Sequence, residues 1–174
     1  MAIADPSAKT FELARRSVKG RFGQAFRDYH TMLDKFKPAL AVITSEAVNS
    51  PPAIRAALER NCHVMTEKPG CVRVEDFEPL VRLSRQSGTH LMMALATRVS
   101  SAVKKARRLI RDGLLGRPYS TTMDWIADQT RLKNPAYHKS WLAFKDRAGG
   151  GKLIFHGIHY LDLIQHLVDA PIER

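Results

Sequence analysis

A lysine and a carboxylate stand together where a short apolar run of the sequence ends. The run is His63–Thr66, and Glu67-Lys68-Pro69 follows it directly. In an open α/β sheet, ligands bind in the crevice beyond the carboxyl ends of the strands. An ammonium held there can point at a substrate oxygen, and partial burial lowers its pKa toward neutrality. A loop lysine beside a surface glutamate is the alternative interpretation of the same residues.

Two histidines and an aspartate follow one another at helical spacing near the C-terminus. His156, His159 and Asp162 lie at positions i, i+3 and i+6. Asp162 is three residues from His159, so that its carboxylate can orient the imidazole, whose ordinary pKa near 6.5 suits proton transfer. A core histidine bonded to a backbone carbonyl is the alternative for His159. The three residues match no compact zinc spacing, and we expect no metal.

Short apolar segments alternate with amphipathic segments through the first half of the chain. Predicted strands end near Asp5 and cover 23–26, 39–44, 63–66 and 90–94, and predicted helices cover Pro6 to about Gly20, 28–36, 51–59 and 74–86. Asn61 and Gly88 are expected to close two of these helices in the left-handed conformation. The run 39–44 is continuously apolar, as expected when both faces of a strand are covered. This order predicts right-handed crossovers and a mainly parallel sheet of the α/β class.

The pattern changes near residues 96–100, and we place a domain boundary there, between residues 1–97 and residues 98–174. The second domain is predicted to contain a basic helix ending at Gly113, a strand Tyr119–Ile126, a polar and aromatic loop 128–148, and a helix Lys152–Val168. Within that loop, residues 137–141 have the composition of a wall that contacts a sugar, or of an apolar plug beneath a long connection.

The formal net charge of +11 raises the question of an acidic partner. One modest basic cluster is present, at Lys104, Lys105, Arg107, Arg108 and Arg111. Val103, Ala106, Leu109 and Ile110 form an apolar stripe between these residues, which makes the basic residues the solvated face of a helix. No aromatic side chains interleave with them to stack on bases, so we predict no nucleic-acid partner.

Cysteine usage and hydropathy point to a cytoplasmic protein. Cys62 and Cys71 match neither a zinc nor a redox motif, and two cysteines provide no disulfide framework. The N-terminal residues lack the charged and apolar regions of a secretory signal. The longest apolar run, Leu91–Ala96, is far too short to span a bilayer, so no membrane partner is expected.

The sequence resembles the glucose–fructose oxidoreductase and inositol dehydrogenase (Gfo/Idh/MocA) family of nicotinamide-dependent enzymes. The resemblance rests on four segments that occur in the family's order, namely Asp5-Pro6, Glu67-Lys68-Pro69, Arg111–Gly116 and Gly149–Asp162. It implies an incomplete Rossmann-type parallel sheet followed by the beginning of an α+β C-terminal domain. It also implies hydride transfer between a nicotinamide and a hydroxyl of a sugar, polyol or related small molecule.

The resemblance assigns catalytic roles to three residues. Lys68 looks like the family's active-site lysine, whose positive charge stabilises a developing alkoxide. His159 takes the place of the family's histidine and becomes the candidate acid/base, with Asp162 behind it. We expect the Lys68 ammonium and the His159 imidazole to converge on one cleft between the two domains. Phe155 departs from the pattern, because many members carry an aspartate there.

The same resemblance assigns cofactor contacts to Asp5, Thr44, Glu67, Lys68 and Arg98. Asp5 is similar to the acidic residue that accepts hydrogen bonds from the adenine ribose hydroxyls. The cofactor is therefore NAD or NADP, and Asp5 favours NAD because a 2′-phosphate would meet a carboxylate. Asp5 is also a good helix N-cap, and the two roles are compatible. The alternatives for Glu67 are pairing with Lys68 or an ordinary position on the surface.

No G-x-G-x-x-G occurs in the 174 residues, which begin where the family's second strand is expected. In the strand order 3-2-1-4-5-6 the middle strand is then lacking, which predicts separate 3-2 and 4-5-6 groups. One buried strand contributes roughly 10 kcal/mol, comparable with a net domain stability of about 5–15 kcal/mol. We therefore expect a marginally stable fragment. A non-catalytic remnant acting as an interaction or structural domain is the alternative function, and a homo-oligomer is expected only of a full-length form.

Overall fold

The computed structural model describes residues 1–18 and 23–173, and the chain divides into two compact units. The first, called the strand unit, contains Met1–Ser45, Asn49–Glu67 and Val74–Met92. The second, called the helical unit, contains Glu46–Val48, Lys68–Arg73 and Met93–Arg174. The predicted boundary between residues 97 and 98 stays a prediction.

The strand unit contains two separate parallel sheets. β1 (Ala2–Ala4) pairs with β2 (Gln24–Phe26), and β4 (His63–Thr66) lies between β3 (Leu40–Ile43) and β5 (Leu91–Met93). The register of the second sheet places Leu40 opposite His63 and Ile43 opposite Thr66. The predicted parallel α/β sheet and its division into two-stranded and three-stranded groups are thus confirmed.

Four helices connect and cover these strands. They are α1 (Ala8–Ser17), α2 (Tyr29–Phe36), α3 (Ser50–Leu58) and α4 (Val74–Ser87). The predicted end of the first helix near Gly20 lies outside the described residues. Asn61 (φ 56°) and Gly88 (φ 67°) adopt the left-handed conformation expected of them. The carboxylate of Asp28 begins α2, because it accepts the backbone N–H of Thr31 at 2.6 Å.

The core of the strand unit forms around α3. Ile54 and Leu58 are fully buried, together with Val64 of β4 and Leu80 of α4. Burial of each such side chain contributes about 1.5–3 kcal/mol. This packing fixes β3 and β4 in place, and with them the residues that follow each strand.

One face of the three-stranded sheet is open among the described residues, which corrects the prediction that both faces of β3 are covered. Leu40 and Val42 on β3 are 55% and 62% exposed, and Met92 on β5 is 55% exposed. The helices of the core cover only the opposite face. Both sides of β3 therefore carry apolar side chains, but only one side is buried.

The helical unit consists of short helices and two longer ones. Its elements are α5 (Ser101–Arg111), α6 (Pro135–Lys139), α7 (Lys145–Ala148), a single turn of π-helix (Leu153–Gly157) and α8 (Ile158–Val168), with 3₁₀ turns at Ala47–Asn49, Ala96–Val99, Thr130–Lys133 and Trp141–Ala143. α6 and α7 lie in the segment that was predicted to be a loop. The predicted last helix is confirmed, but its first part is π-helical.

The predicted strand Tyr119–Ile126 is wrong. Residues 119–126 form no strand, and Tyr119 and Ile126 are 99% and 98% exposed. A strand exists through its ladder of hydrogen bonds with a neighbour. No strand in the described part of the helical unit pairs with this segment, so its alternating pattern does not produce one.

α5 packs against α8 through a basic side chain that the sequence analysis assigned to the solvated face. Arg107 donates from Nη1 to the backbone oxygen of His166 at 2.6 Å and from Nη2 to Asp169 Oδ1 at 2.8 Å. Asp169 is the left-handed residue that ends α8 (φ 56°). Arg107 is therefore a cationic cap for the last carbonyl groups of α8.

Candidate functional site

The predicted cofactor residues of the strand unit lie at the ends of strands. The Glu67 backbone N–H donates to the Ile43 carbonyl at 2.8 Å, so that Glu67 and Thr44 leave adjacent strands side by side. Both residues are exposed. They therefore occupy the position at which an open parallel sheet presents groups to a ligand.

Asp5 ends β1 and begins the turn that leads to α1. Its backbone N–H donates to the Phe26 carbonyl at 3.0 Å, and its Oδ1 accepts the N–H of Ser7 at 2.7 Å. This contact closes a turn ahead of the helix, and the N-cap of α1 is Ser7, so the predicted N-cap role of Asp5 is wrong. No hydrogen bond within the described ranges 1–18 and 23–173 uses its second oxygen, Oδ2, which leaves an acceptor at the strand end.

Lys68, a residue of the helical unit, is held at the π-helical turn. Its Nζ donates to the carbonyl oxygen of Phe155 at 2.6 Å and lies 3.9 Å from the centroid of the Phe155 ring. The peptide bond between Lys68 and Pro69 is cis. A π-turn interrupts the regular i to i+4 ladder and is frequent at functional sites. The Phe155 carbonyl is thereby used to fix an ammonium rather than only to continue the helix.

Glycines before this turn and at its end occupy positions that a side chain would not fit. Gly149 ends α7 at φ 83°, a left-handed conformation that L side chains rarely adopt. A Cβ on Gly150 would lie 2.8 Å from Ile154 Cγ1, and one on Gly157 would lie 2.7 Å from Leu153 Cδ1. Glycine at these positions allows the wide turn to close around its own side chains.

The His156 ring lies among aromatic side chains. Its ring stacks on Trp125 with 5.2 Å between centroids, and it meets Phe155 edge-on at 4.8 Å. Within the described residues, its buried Nδ1 has no hydrogen-bond partner. Burial lowers the pKa of His156, and the charges of Lys152, Lys68, Arg131 and His159 lower it further. The imidazole is therefore neutral at physiological pH.

His159 lies at the beginning of α8 and is half-buried. Its charge influences the pKa of His156, as does that of Lys68, so that all three groups belong to one electrostatic neighbourhood. The convergence of Lys68 and His159 on a substrate cleft stays a prediction.

Asp162 and Arg98 form a bidentate ion pair in the helical unit. Arg98 Nε donates to Asp162 Oδ2 at 2.6 Å, and Arg98 Nη2 donates to Asp162 Oδ1. The Asp162 side chain is 9% exposed and that of Arg98 is 42% exposed. The pairing raises the pKa of Arg98. The structure thus joins a predicted catalytic residue to a predicted cofactor residue, and both Asp162 oxygens bind Arg98 where the sequence had suggested His159 as the partner.

A group of aromatic and basic side chains surrounds the π-turn, and sequence analysis did not identify most of it. Lys152 Nζ lies 4.9 Å from the Trp125 ring, and the Arg131 guanidinium lies 4.9 Å from the Tyr137 ring and 5.9 Å from the Phe155 ring. The edge of Trp141 faces Phe155 at 6.5 Å. Two of the residues predicted as a sugar wall or plug, Tyr137 and Trp141, belong to this aromatic cluster.

A second ion pair that was missed connects two distant parts of the helical unit. Arg147 Nε donates to Glu46 Oε2 at 2.9 Å, and Arg147 Nη2 donates to Glu46 Oε1. Glu46 lies directly before the 3₁₀ turn Ala47–Asn49. This bidentate arginine–carboxylate pair joins residues that are 101 positions apart, so no local sequence pattern reveals it.

The described residues contain neither a cluster of metal ligands nor a membrane-spanning helix. No group of three or more histidine, cysteine or acidic side chains is arranged to hold a metal ion. No helix among residues 1–18 and 23–173 combines the length and apolar character needed to cross a bilayer.

Sequence profiles match both halves of the chain. A profile described as an oxidoreductase family with an NAD-binding Rossmann fold matches residues 1–95. A profile of the GFO/IDH/MocA C-terminal domain matches residues 103–174.

Individual proteins are also similar to this chain over most of its length. The 2,7-anhydro-N-acetylneuraminate hydratase of Escherichia coli (strain K12) is 31% identical over 137 residues, which is 77% of this chain and 34% of the relative. The D-glucoside 3-dehydrogenase of the same strain is 29% identical over 163 residues, which is 91% of this chain and 44% of the relative. A solved structure of levoglucosan dehydrogenase in complex with NADH and levoglucosan superposes with a TM-score of 0.81 at 25% identity, covering 96% of this chain and 44% of that one. The chain spans less than half the length of these relatives.

Proposed function

We propose that this chain, which belongs to the GFO/IDH/MocA oxidoreductase family, is part of an NAD(P)-dependent enzyme that transfers hydride between a nicotinamide and a hydroxyl of a sugar, polyol or related compound. The relatives named above support the proposal, because they are sugar-processing proteins and one was solved with NADH. The observation that carries it is the binding of the Lys68 ammonium at the π-turn, next to the histidines of the same helix.

The described residues suit two parts of a dinucleotide. Asp5 offers an acceptor oxygen for ribose hydroxyls, and Thr44 and Glu67 lie at adjacent strand ends. Arg27, a cation near Asp5, is engaged with the Pro6 carbonyl and lies 5.4 Å from the Phe11 ring, so it is not arranged to receive a 2′-phosphate. These features favour NAD over NADP. The 174 residues contain no G-x-G-x-x-G motif to hold the pyrophosphate, so we expect weak cofactor binding by this chain alone.

In the proposed mechanism the chain's own groups handle the substrate proton. Lys68 provides a positive charge beside the reacting oxygen, which stabilises alkoxide character as the proton departs. His159 accepts that proton as the general base. Asp162 acts as a positioning residue through its ion pair with Arg98, which fixes the face of α8 that carries His159. Bound NAD would accept the hydride.

Saturation-transfer NMR tests cofactor binding directly, because it detects weak ligands. With cofactor at about 1 mM, a concentration at which ligands with millimolar Kd bind appreciably, we expect transfer to NADH and weaker transfer to NADPH. Asp5→Asn is expected to weaken transfer to the adenine ribose, and Lys68→Met to weaken transfer to the nicotinamide. Glu12→Gln, on the exposed face of α1, is the matched control. Absence of transfer to either cofactor would count against the oxidoreductase.

A second function is favoured by one specific observation. Phe155 stands where many family members carry an aspartate, and its carbonyl and ring hold Lys68. A lysine fixed in this way also suits a non-catalytic family remnant that serves as an interaction or structural domain. Such a remnant would keep its fold and show no cofactor transfer, so the same NMR experiment separates the two functions.

A further inference from the structure

Three cations approach one aromatic surface at the π-turn of the helical unit. Lys68 Nζ lies 3.9 Å from the Phe155 ring, and Lys152 Nζ lies 4.9 Å from the Trp125 ring. The Arg131 guanidinium lies 5.9 Å from the Phe155 ring on another element, the 3₁₀ turn Thr130–Lys133. Since these groups come from three separate segments, their approach is a property of the fold and not of a local basic run.

The protein itself supplies little negative charge to two of these cations. Within the described parts of the chain, neither Lys152 nor Arg131 has a carboxylate within the 4.0 Å of a salt bridge. Among the same residues, Arg131 Nε is buried without a hydrogen-bond partner. The acid nearest in influence is Asp128, whose oxygens accept two hydrogen bonds from Thr130. Among the described residues, Arg131 Nε and the Lys152 ammonium are therefore donors without a protein acceptor.

The electrostatic balance agrees with this geometry. The pKa of Lys152 is lowered, first by burial and then by repulsion from Arg131, and the attraction of Asp128 is the smallest contribution. The pKa of His156 is lowered by burial and by Lys152, Lys68 and Arg131. The cations therefore repel one another more than the local carboxylate attracts them, which an arriving anion would relieve.

The aromatic side chains indicate what kind of group is attached to the anion. Trp125 is 37% exposed, stacks on His156 and lies 5.3 Å from Tyr160. A partly exposed indole beside neutral imidazole and phenol groups offers an apolar face for the C–H side of a hydroxylated ring, and polar edges for its hydroxyls.

We propose that Lys152, Arg131 and His156 form a subsite for an anionic group, so that the substrate is an acidic sugar, meaning a hydroxylated ring that bears a carboxylate or a phosphate. This inference rests on the proposed function for the identity of the bound molecule as a substrate. Lys152 and Arg131 bind the anion, Trp125 supports the ring, and the neutral His156 contributes a hydrogen bond from its otherwise unused Nδ1 or accepts one there.

The test compares ligands of matched shape and different charge. The chain is titrated with glucuronate, glucose 6-phosphate and glucose, and binding is followed by the imidazole signals of His156 in two-dimensional NMR. We expect glucuronate or glucose 6-phosphate, or both, to bind at least about tenfold more tightly than glucose, because only the acids form charge-assisted hydrogen bonds with Lys152 and Arg131. The bound anion is also expected to raise the pKa of His156. The first two ligands distinguish a carboxylate subsite from a phosphate subsite.

Two variants and a control identify the subsite. Lys152→Met is expected to weaken binding of the acidic ligand about tenfold, and Lys152→Arg to retain it, because only the first removes the cation. Lys104→Met changes the net charge equally on the exposed face of α5 and is expected to leave binding unchanged. A circular dichroism spectrum of each variant establishes that it is folded. If Lys152→Met unfolds the chain, the ligand comparison in the unaltered protein decides alone.

Several results would overturn the inference. They are equal binding of glucose and the acidic ligands, equal losses in Lys152→Met and Lys104→Met, and no binding of either acid at about 10 mM, where even weak carboxylate subsites are occupied. Failure of the proposed function is recognised separately. An acid-selective site in a chain that shows no transfer to NADH would support the subsite and refute the oxidoreductase, whereas NADH binding without acid selectivity would refute the subsite alone.

Discussion

The ion pair between Arg98 and Asp162 should be worth more to the helical unit than any exposed ion pair of the chain. Asp162 is the more buried partner, with 9% of its side chain exposed against 42% for Arg98. Removing one partner of a fully buried pair costs about 3–5 kcal/mol, because a charge is left without compensation. Since water reaches the Arg98 side of this pair, we expect Arg98→Met to lower the free energy of unfolding by about 2 kcal/mol.

The opposite substitution should cost less. Asp162→Asn leaves a guanidinium that water already solvates, and an amide that still accepts a hydrogen bond, so the expected loss is about 1 kcal/mol. Arg82→Met is the matched control, because Arg82 and Glu78 are 3.7 Å apart and their side chains are 62% and 63% exposed. Loss of that exposed pair should change the free energy of unfolding by less than about 0.5 kcal/mol.

Urea denaturation measures these changes in the relevant unit. Trp125 and Trp141 are the two tryptophans of the sequence and both belong to the helical unit, so their fluorescence reports on it. The midpoint multiplied by the slope m of the transition gives the free energy of unfolding, and a loss of about 2 kcal/mol corresponds to a Tm lower by about 4–8 °C in a chain of this size.

The order of the three losses tests this account of the ion pair. A cost equal to that of Arg82→Met, or a larger cost for Asp162→Asn than for Arg98→Met, would refute the reasoning.

Three further predictions concern other parts of the chain. Burial lowers the pKa values of His156 and His166, so the unfolded chain binds more protons near pH 6 and the urea midpoint should fall as pH is lowered from about 7.5 to 5.5; an unchanged midpoint would contradict the burial of both rings. Arg107→Met should destabilise the helical unit by about 1–2 kcal/mol in the same fluorescence assay, because it uncaps α8, and a loss no greater than that of Arg108→Met would contradict the capping role. Asp28→Ala should cost the strand unit about 1 kcal/mol through loss of the α2 N-cap, measured by circular dichroism, and Asp28→Asn should recover most of it.

The strand unit could be predicted almost completely, because its signals are local. The apolar runs that became β3 and β4 are bounded by turn residues, and Asn61 and Gly88 mark helix ends by their tolerance of positive φ. The division into two sheets followed from the expected strand order and not from any single residue. What could not be read locally was exposure, since an apolar Val42 has the same sequence signal whether or not a helix covers it.

Less of the candidate site could be predicted from the sequence, and the π-turn is one reason. His156, His159 and Asp162 were counted as positions i, i+3 and i+6 of a regular helix. The turn Leu153–Gly157 has a different periodicity, so residues before and after it are not in the phase that such counting assumes. Arg131 and Lys152 were missed because only tertiary contacts bring them to the aromatic cluster.

The three-stranded sheet has an unpaired edge at β3, beside its open face, and this edge affects the behaviour of the protein in solution. β3 has β4 as its only strand partner among the residues described, and it presents its other row of backbone donors and acceptors beside the half-exposed Leu40 and Val42. Such an edge is a template that any extended polypeptide of suitable sequence can extend, including another copy of the same strand. Association through this edge should therefore increase with protein concentration. Val42→Lys should slow it, because a charged side chain on an edge strand opposes pairing with another strand.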